Sequence, residues 1–333
     1  MREVAAAAGV SPSTVGNVLN NPDIVAPETR TRVEQAMAQI GFVRSGTARQ
    51  LRGLPSRMVG VVTLDAGNPF YAEVNRGIED RLAEDGCMAL VSSSDAQLAR
   101  ELQALSAMEE HGVRGIIVAP ADERLDRLAG VSDRGTPVVL LDHPRGPLDL
   151  CAVTVDNALA GALVADHLIA LGHQRIALVW PETAVGPVCD RRDGIRHALA
   201  AAGLDPRRAL TEVAVARLRN IDAADAAVDA ILADPHRPTA VVCYNDLTAL
   251  GVMRGAERRG VAVPDEISLV GFDDLQFSGL LSPKLTTVHN PKYAIGRRCA
   301  ELLLAEADPD HRHREVLLRP ALVVRESTAP PMA

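Results

Sequence analysis

The stretch GVSPSTVGNVLN, residues 9–20, spaces short polar side chains about one helical turn apart. Ser13, Asn17 and Asn20 fall largely on one side of a helix, and Val15, Val18 and Leu19 on the other. Hydroxyls and carboxamides presented this way can meet phosphate oxygens and base edges, an asparagine matching adenine N6 and N7. A second set of chemically capable residues stands at the ends of apolar runs. Asp65, Asn68, Phe70 and Tyr71 follow the first run, Asp156 follows AVTV, Asn245 and Asp246 follow TAVVCY, and Asp273 and Asp274 follow SLVGF. Carboxylates bind hydroxyls in pairs and an aromatic face covers the apolar side of a ring, the usual make-up of a polyol or sugar site. Asn68, Asn245 and Asp246 suit helix caps equally well, and Asp274 suits a pair with a surface arginine.

Other chemistries find little support. There is no Gly-x-Ser-x-Gly elbow and no phosphate-binding loop, so no enzyme is expected. Cys87, Cys151, Cys189, Cys243 and Cys299 are scattered without a Cys-x-x-Cys pair, which argues against zinc and against a disulfide framework. His311 and His313 stand together in DPDHRHRE, but a polar loop accounts for them without a metal. No metal and no cofactor is expected.

Two kinds of scaffold must position these groups. At the N-terminus a helix over residues 2–8 places Val4, Ala5 and Ala8 on one face and stops at Gly9. Ser11 is a suitable cap and Pro12 a suitable first residue for the next helix. A third helix runs from Pro27 to Ile40, with Val33, Ala36, Met37 and Ile40 inward and Gly41 as its stop. Short helices joined by a three-residue turn have helix-turn-helix geometry; a three-helix bundle for protein contacts has the same spacing.

From residue 58 the apolar runs MVGVVTL, MALVSS, GIIVAP, PVVLLD, AVTVD, RIALVW, TAVVCY and ISLVGF alternate with helical patterns such as Phe70–Asp85 and Ala158–Leu171. Buried parallel strands with crossover helices produce that alternation. Eight or more strands predict two doubly wound subdomains rather than one sheet, with ligands beyond the carboxyl ends of the strands.

Composition agrees. The 333 residues are 47% hydrophobic and 23% charged, ordinary for a globular protein, with 2% aromatics, so the cores must be aliphatic. No run reaches the roughly 18 apolar residues of a membrane helix, and no export signal is visible, so a cytoplasmic protein is expected. Residues 1–57 hold seven arginines against four acids, whereas 58–333 hold 28 basic and 39 acidic residues. A cationic head on an acidic body suits phosphate binding by the head.

EVAAAAGVSPSTVGNVLNN, followed by ETRTRVEQAMAQIGF, resembles the headpiece of the LacI/GalR family of transcription regulators, and the similarity continues through TARQLRG, NPFYAEVNRGIED, LGHQRIALV, YNDLTALG, VPDEISLVGFDD and LTTVHNP. The resemblance implies an N-terminal all-α helix-turn-helix headpiece (residues 1–44), a hinge (45–57) and an α/β core like the periplasmic binding proteins (58–333). It implies two lobes, one of about 58–156 plus 290–313, the other of about 157–289 plus 314–328. It further implies a ligand-responsive regulator, most simply a repressor, that binds a double-stranded operator as a homodimer with a sugar or nucleobase-like effector in the cleft. A solute-binding receptor of the same core would lack the headpiece.

Residue by residue, the family pattern retains Ser13, Thr14, Asn20 and Thr29 for DNA and puts Asn17 beside them. In the hinge, Ala48 and Leu51 share a helical face, and paired leucines would wedge into a minor-groove step. In the cleft the resemblance adds Arg191, from the family's Arg-x-x-Gly, and places Asp273 beside it; Phe70, Tyr71, Asp156 and Asn245, read from the strand ends, complete the expected effector ligands. The departures are specific. Gly16 and Asn17 replace a Ser-Arg pair whose arginine can read guanine. Pro12 stands where some members place a polar base-contacting side chain, Ala26 replaces a capping serine, and Arg44-Ser45 a Pro-Asn before the hinge. The family also has a few residues, including a capping threonine, ahead of the position of Met1. The ending VVRESTAPPMA has no leucine heptad for a tetramerising coil.

Overall fold

Helix termini are decided by single residues at the start of this chain. The computed structural model describes residues 1–43, 55–182, 186–215 and 221–332 and divides into two compact units, Met1–Ser56 and Arg57–Ala333. In the first, α1 (Arg2–Ala8) ends at Gly9, whose φ of +62° is the left-handed cap a side chain would resist. Ser11 accepts the Thr14 N–H at 3.1 Å and starts α2 (Pro12–Asn20), with Pro12 at its first position. A single 3-10 turn, Pro22–Ile24, leads to α3 (Pro27–Gln39). Val4, Ala5, Ala8, Val15, Val18, Val33 and Ala36 form the buried centre. Ile40 does not belong to it: the helix stops one residue earlier and Ile40 is 42% exposed. The chain reverses at Gly41, so Phe42 packs back on the centre instead, its N–H bonded to the Met37 carbonyl.

In the second unit the apolar runs form two six-stranded sheets of one topology. The first contains β1 (Met58–Thr63), β2 (Met88–Ser93), β3 (Ile116–Val118), β4 (Val138–Leu141), β5 (Cys151–Val155) and β11 (Glu315–Leu318), in the order β11-β5-β4-β3-β1-β2. The second contains β6 (Ile176–Pro181), β7 (Leu210–Val215), β8 (Ala240–Cys243), β9 (Ser268–Asp273), β10 (Thr286–His289) and β12 (Ala321–Val323), in the order β12-β10-β9-β8-β6-β7. Neighbours are parallel except β10 and β12. In each sheet the order reverses beside the first strand, which opens a crevice at its carboxyl end.

Helices cover both faces because alternate residues of each strand point to opposite sides. Val59 and Val61 face one cluster of the first sheet and Val62 another; Ile176 and Leu178 oppose Ala177 and Val179 in the second. β7, β10, β11 and β12 go beyond the runs legible as strands. They are short, or carry Thr and Glu, because they lie at or next to a sheet edge.

The chain passes between the sheets three times. It leaves the first after β5, returns after β10 and leaves again between β11 and β12. The last passage therefore falls at Arg319-Pro320 and not at 313–314, because Glu315–Leu318 pairs with Ala152–Val155 of β5. Among the described residues no helix is long and apolar enough to cross a membrane.

Two helices of the second lobe, α7 (Asn157–Ala170) and α8 (Gly186–Ala201), meet backbone to backbone. A Cβ on Gly161 would lie 2.0 Å from the Arg191 carbonyl oxygen, and one on Gly194 2.0 Å from that of Ala158. In the first lobe Gly77 and Gly296 do the same for α4 (Pro69–Glu84) and α12 (Lys292–Ala305). Gly194→Ala should thus destabilise the core by about 2 kcal/mol although alanine favours a helix, because the two helices must part. Gly130→Ala, on a helix where the nearest atom is an arginine tip at 3.5 Å, should be neutral or stabilising. Urea unfolding of both variants checks the contrast.

Candidate functional site

The crevices of the two sheets face one another, and the cleft between the lobes holds an empty volume of about 950 Å³, part of it open to solvent. Its first-lobe wall is built from strand ends. β1 delivers Leu64 and Asp65; Asn68 then caps α4 by accepting the Phe70 N–H at 3.0 Å, which puts Phe70 and Tyr71 in the opening turn. Their rings meet edge to face with centroids 5.1 Å apart. β4 delivers Asp142, at φ +50°, and His143.

The second-lobe wall carries Arg191 from α8, Tyr244 and Asn245 after β8, and Asp273 at the end of β9. Arg191 is buried. Its Nε donates to Asn157 Oδ1 at 2.8 Å, its Nη1 to the Tyr244 carbonyl at 2.8 Å, and its guanidinium lies 4.7 Å from the centroid of the Phe272 ring. Its Nη2 has no hydrogen bond among the described residues. Asp273, at φ +105°, accepts from Asn290 Nδ2 at 3.0 Å. Lys292 Nζ donates to the carbonyls of Asp273 and Asp274 at 2.6 and 3.1 Å and holds that strained turn in place.

Ionisable groups are concentrated here, with Arg191 and Asp273 buried and Asp142 half-buried. Burial pushes the Asp142 carboxyl up to about 7; Arg191 opposes that shift and the Asp273 charge adds to it. Burial likewise raises Asp273, against Arg191 and Lys292. Asp142 Oδ1 and His143 Nε2 are buried with no hydrogen-bond partner among the described residues. The cleft thus offers an anchored guanidinium, two carboxyl groups of adjustable protonation and an aromatic pair, a set suited to a small neutral ligand with several hydroxyls or ring nitrogens.

Phe70, Tyr71, Arg191, Asn245 and Asp273 all line this cleft. Asp156 does not. It caps α7 by accepting the Leu159 N–H at 2.9 Å, and its neighbour Asn157 is the residue that reaches the site, through Arg191. Asn68 and Asn245 both cap a helix and line the cleft. Asp246 is no cap; it is buried and accepts from Leu275 N–H, Ser278 Oγ and Thr287 Oγ1, tying β9 to β10. Asp274 turns away and pairs with Arg325 at 2.5 Å and His289 at 3.0 Å. Asp142 and His143 were missed in the sequence, although PVVLLD carries the same signal, an apolar run ending in an acid.

In the first unit, Ser13 and Asn17 are exposed four residues apart on α2. The hydroxyls of Ser13 and Thr14 lie 2.7 and 2.9 Å from that of Ser11, a cluster at the helix N-terminus. Asn20 Nδ2 donates to the Gly16 carbonyl at 2.7 Å, and Thr29 is half-buried in the first turn of α3. Ala48 and Leu51 lie outside the described residues.

The raised Asp142 carboxyl has a consequence for stability. At pH values between its unfolded value near 4 and about 7, the folded state holds a proton that the unfolded chain has released, so stability falls as pH rises. Asp142→Asn removes that dependence. Relative to wild type, the variant should gain roughly 2 kcal/mol between pH values of about 5 and 7.5. Denaturant unfolding at both pH values measures it.

Comparison with known proteins agrees with both halves. Residues 1–45 match the model of bacterial regulatory proteins, lacI family, and residues 165–328 that of the periplasmic binding protein-like domain. The chain is 32% identical over 333 residues to the HTH-type transcriptional repressor PurR of Photobacterium profundum, with 98% of each covered. Among solved structures it is similar to the lac repressor dimer bound to operator and the anti-inducer ONPF, at 27% identity, 98% of each chain and a TM-score of 0.85. It is also similar to a LacI family transcriptional regulator from Enterococcus faecium with bound ribose, at 29% identity over 83% of this chain and all of that one, with a TM-score of 0.75. With a helix-turn-helix head, a two-sheet core and relatives that are regulators rather than enzymes, the chain belongs to the LacI family of DNA-binding transcriptional regulators.

Proposed function

We propose that this regulator represses by binding a pseudo-palindromic operator as a homodimer, and that a sugar-like small molecule in the interlobe cleft controls the binding through residues 45–57. The observation that carries the effector half is the cleft's unmet hydrogen-bonding capacity beside Arg191. Asp142 Oδ1 is orphaned, Arg191 Nη2 is unengaged among the described residues, and the Phe70–Tyr71 pair faces them. The ribose held by a similar regulator supports a polyhydroxylated ligand. The dimer reading is supported by edge strand β2, which leaves Met88, Leu90 and Val91 exposed. A regulator of this kind works where the chromosome is, in the cytoplasm.

Arg191→Ala and Asp273→Ala should each weaken the effector by about 2–5 kcal/mol, because a buried charge loses its partner, while operator binding without effector stays near normal. Calorimetry against pentoses, hexoses, disaccharides and nucleobases, alongside gel shifts, checks both. A wild-type response that survives in both variants rejects the site, and a response to nucleobases alone rejects the sugar class.

DNA reading by α2 is narrow. Pro12 and Gly16 present no polar side chain, so base contacts fall to Ser13 and Asn17, and an asparagine is shorter than the arginine the family pattern has there. Much of the affinity then comes from phosphates and from bending the operator centre at Leu51. Leu51→Ala should cost more specific affinity than Asn17→Ala, and selected binding sites should be more sharply defined at the centre than in the outer half-sites. Strong outer bases together with a larger Asn17→Ala defect would reverse the assignment.

A further inference from the structure

Cys151 and the pair His311 and His313 are far apart in sequence, yet the fold brings them to one point. Cys151 is the first residue of β5, and the segment between α12 and β11 supplies Glu306, His311 and His313. One ligand atom from each of the four lies within 4.8 Å of all the others. We propose that these four residues bind a zinc-class divalent cation, at the end of the first sheet opposite the effector cleft.

The distances have the right scale. Tetrahedral zinc with bonds of about 2.0–2.3 Å to nitrogen, oxygen and sulfur sets its ligand atoms about 3.3–3.6 Å apart. Here Cys151 Sγ is 3.2 Å from His311 Nε2 and 3.8 Å from His313 Nδ1, while Glu306 Oε1 is 3.2 Å from the first and 3.1 Å from the second. The two imidazoles meet at 78°, so they approach the centre from different directions. Hydrogen bonding accounts for only part of this cluster, the contacts of the Cys151 thiol with the two rings. Glu306 is about nine-tenths buried, and its Oε1 has no hydrogen-bond partner among the described residues although two ring nitrogens sit beside it. A cation that displaced the thiol proton would engage the same sulfur and ring nitrogens and would also satisfy the orphaned Glu306 oxygen.

The donor set points to the metal class. Two imidazoles, one thiolate and one carboxylate in a compact four-ligand arrangement suit Zn²⁺, whereas Ca²⁺ and Mg²⁺ prefer an all-oxygen shell of six or more ligands. Four protein ligands, with Cys151 fully buried and the other three no more than 23% exposed, describe a closed site with a structural role. The cation would fasten residues 306–314 to β5, next to the point where Glu315 of β11 pairs with Ala152. None of the four lines the effector cleft, so the two sites are separable by experiment.

The test uses full-length reduced protein stripped by chelator and titrated with Co²⁺, then Zn²⁺. The expected result is one equivalent per chain, the strong visible bands of four-coordinate Co²⁺ with thiolate charge transfer, displacement by Zn²⁺ and a saturable rise in melting temperature. Cys151→Ser should lose the charge-transfer band. His313→Gln, at the most exposed of the four ligands, should bind at least about 100-fold more weakly while keeping its far-ultraviolet circular dichroism. Six-coordinate Co²⁺ spectra, no saturable binding, or affinity unchanged in His313→Gln would overturn the proposal.

Discussion

A guanidinium cannot stay in a protein interior without partners, and the cleft is organised around the one at Arg191. Its two inner bonds go to Asn157 and the Tyr244 carbonyl, and its flat face lies over Phe272. Those partners come from α7, the end of β8 and β9, so three elements must meet within hydrogen-bonding distance. They do so because Gly161 and Gly194 let α7 and α8 touch through their backbones. Side chains at those glycines would push Asn157 and Arg191 apart, and the charge would face the cleft unsupported. Packing in the second lobe is therefore inseparable from the chemistry of the cleft.

The same economy governs the acids around it. Asp273 sits on a strained turn held by the buried ammonium of Lys292, at the start of the helix that carries the chain back into the first lobe. Asp246 occupies the layer behind, where its accepted hydrogen bonds oppose the burial that pushes it up to about 7. Asp142 approaches from the other lobe with one oxygen unengaged. A ligand that satisfies Asp142 and Arg191 together bridges the lobes, so its binding energy can be spent on their relative position. That is the physical basis of the proposed link between occupancy of the cleft and DNA binding.

Each sheet has two ends with different work. At the carboxyl ends the strand order reverses, loops part and polar residues face open space. At the starting end of the first sheet, a return loop folds back over β5 and brings nitrogen, oxygen and sulfur together out of water. A doubly wound sheet separates such sites by the length of its strands, so a structural cation at one end can stiffen the lobe that forms half of the cleft at the other.

The local elements were legible in the sequence because their signals are local. Gly9, Ser11 and Pro12 state the helix-turn-helix turn through backbone and capping chemistry, and eight apolar runs announce eight of the strands. Phe70, Tyr71, Arg191, Asn245 and Asp273 could be assigned to the cleft because each stands at a strand end or in a family motif. What the sequence left undecided depends on which groups meet across the fold. Asp156 and Asn157 are adjacent polar residues after one strand, and only the contact of α7 with α8 decides that the first caps a helix while the second holds Arg191. β7, β10, β11 and β12 lacked apolar runs because they lie at or next to a sheet edge, whereas edge strand β2 kept its run MALVSS. His311 and His313 read as a polar loop because their partner Cys151 lies on a strand half the chain away, and distance in sequence carries no trace of distance in space.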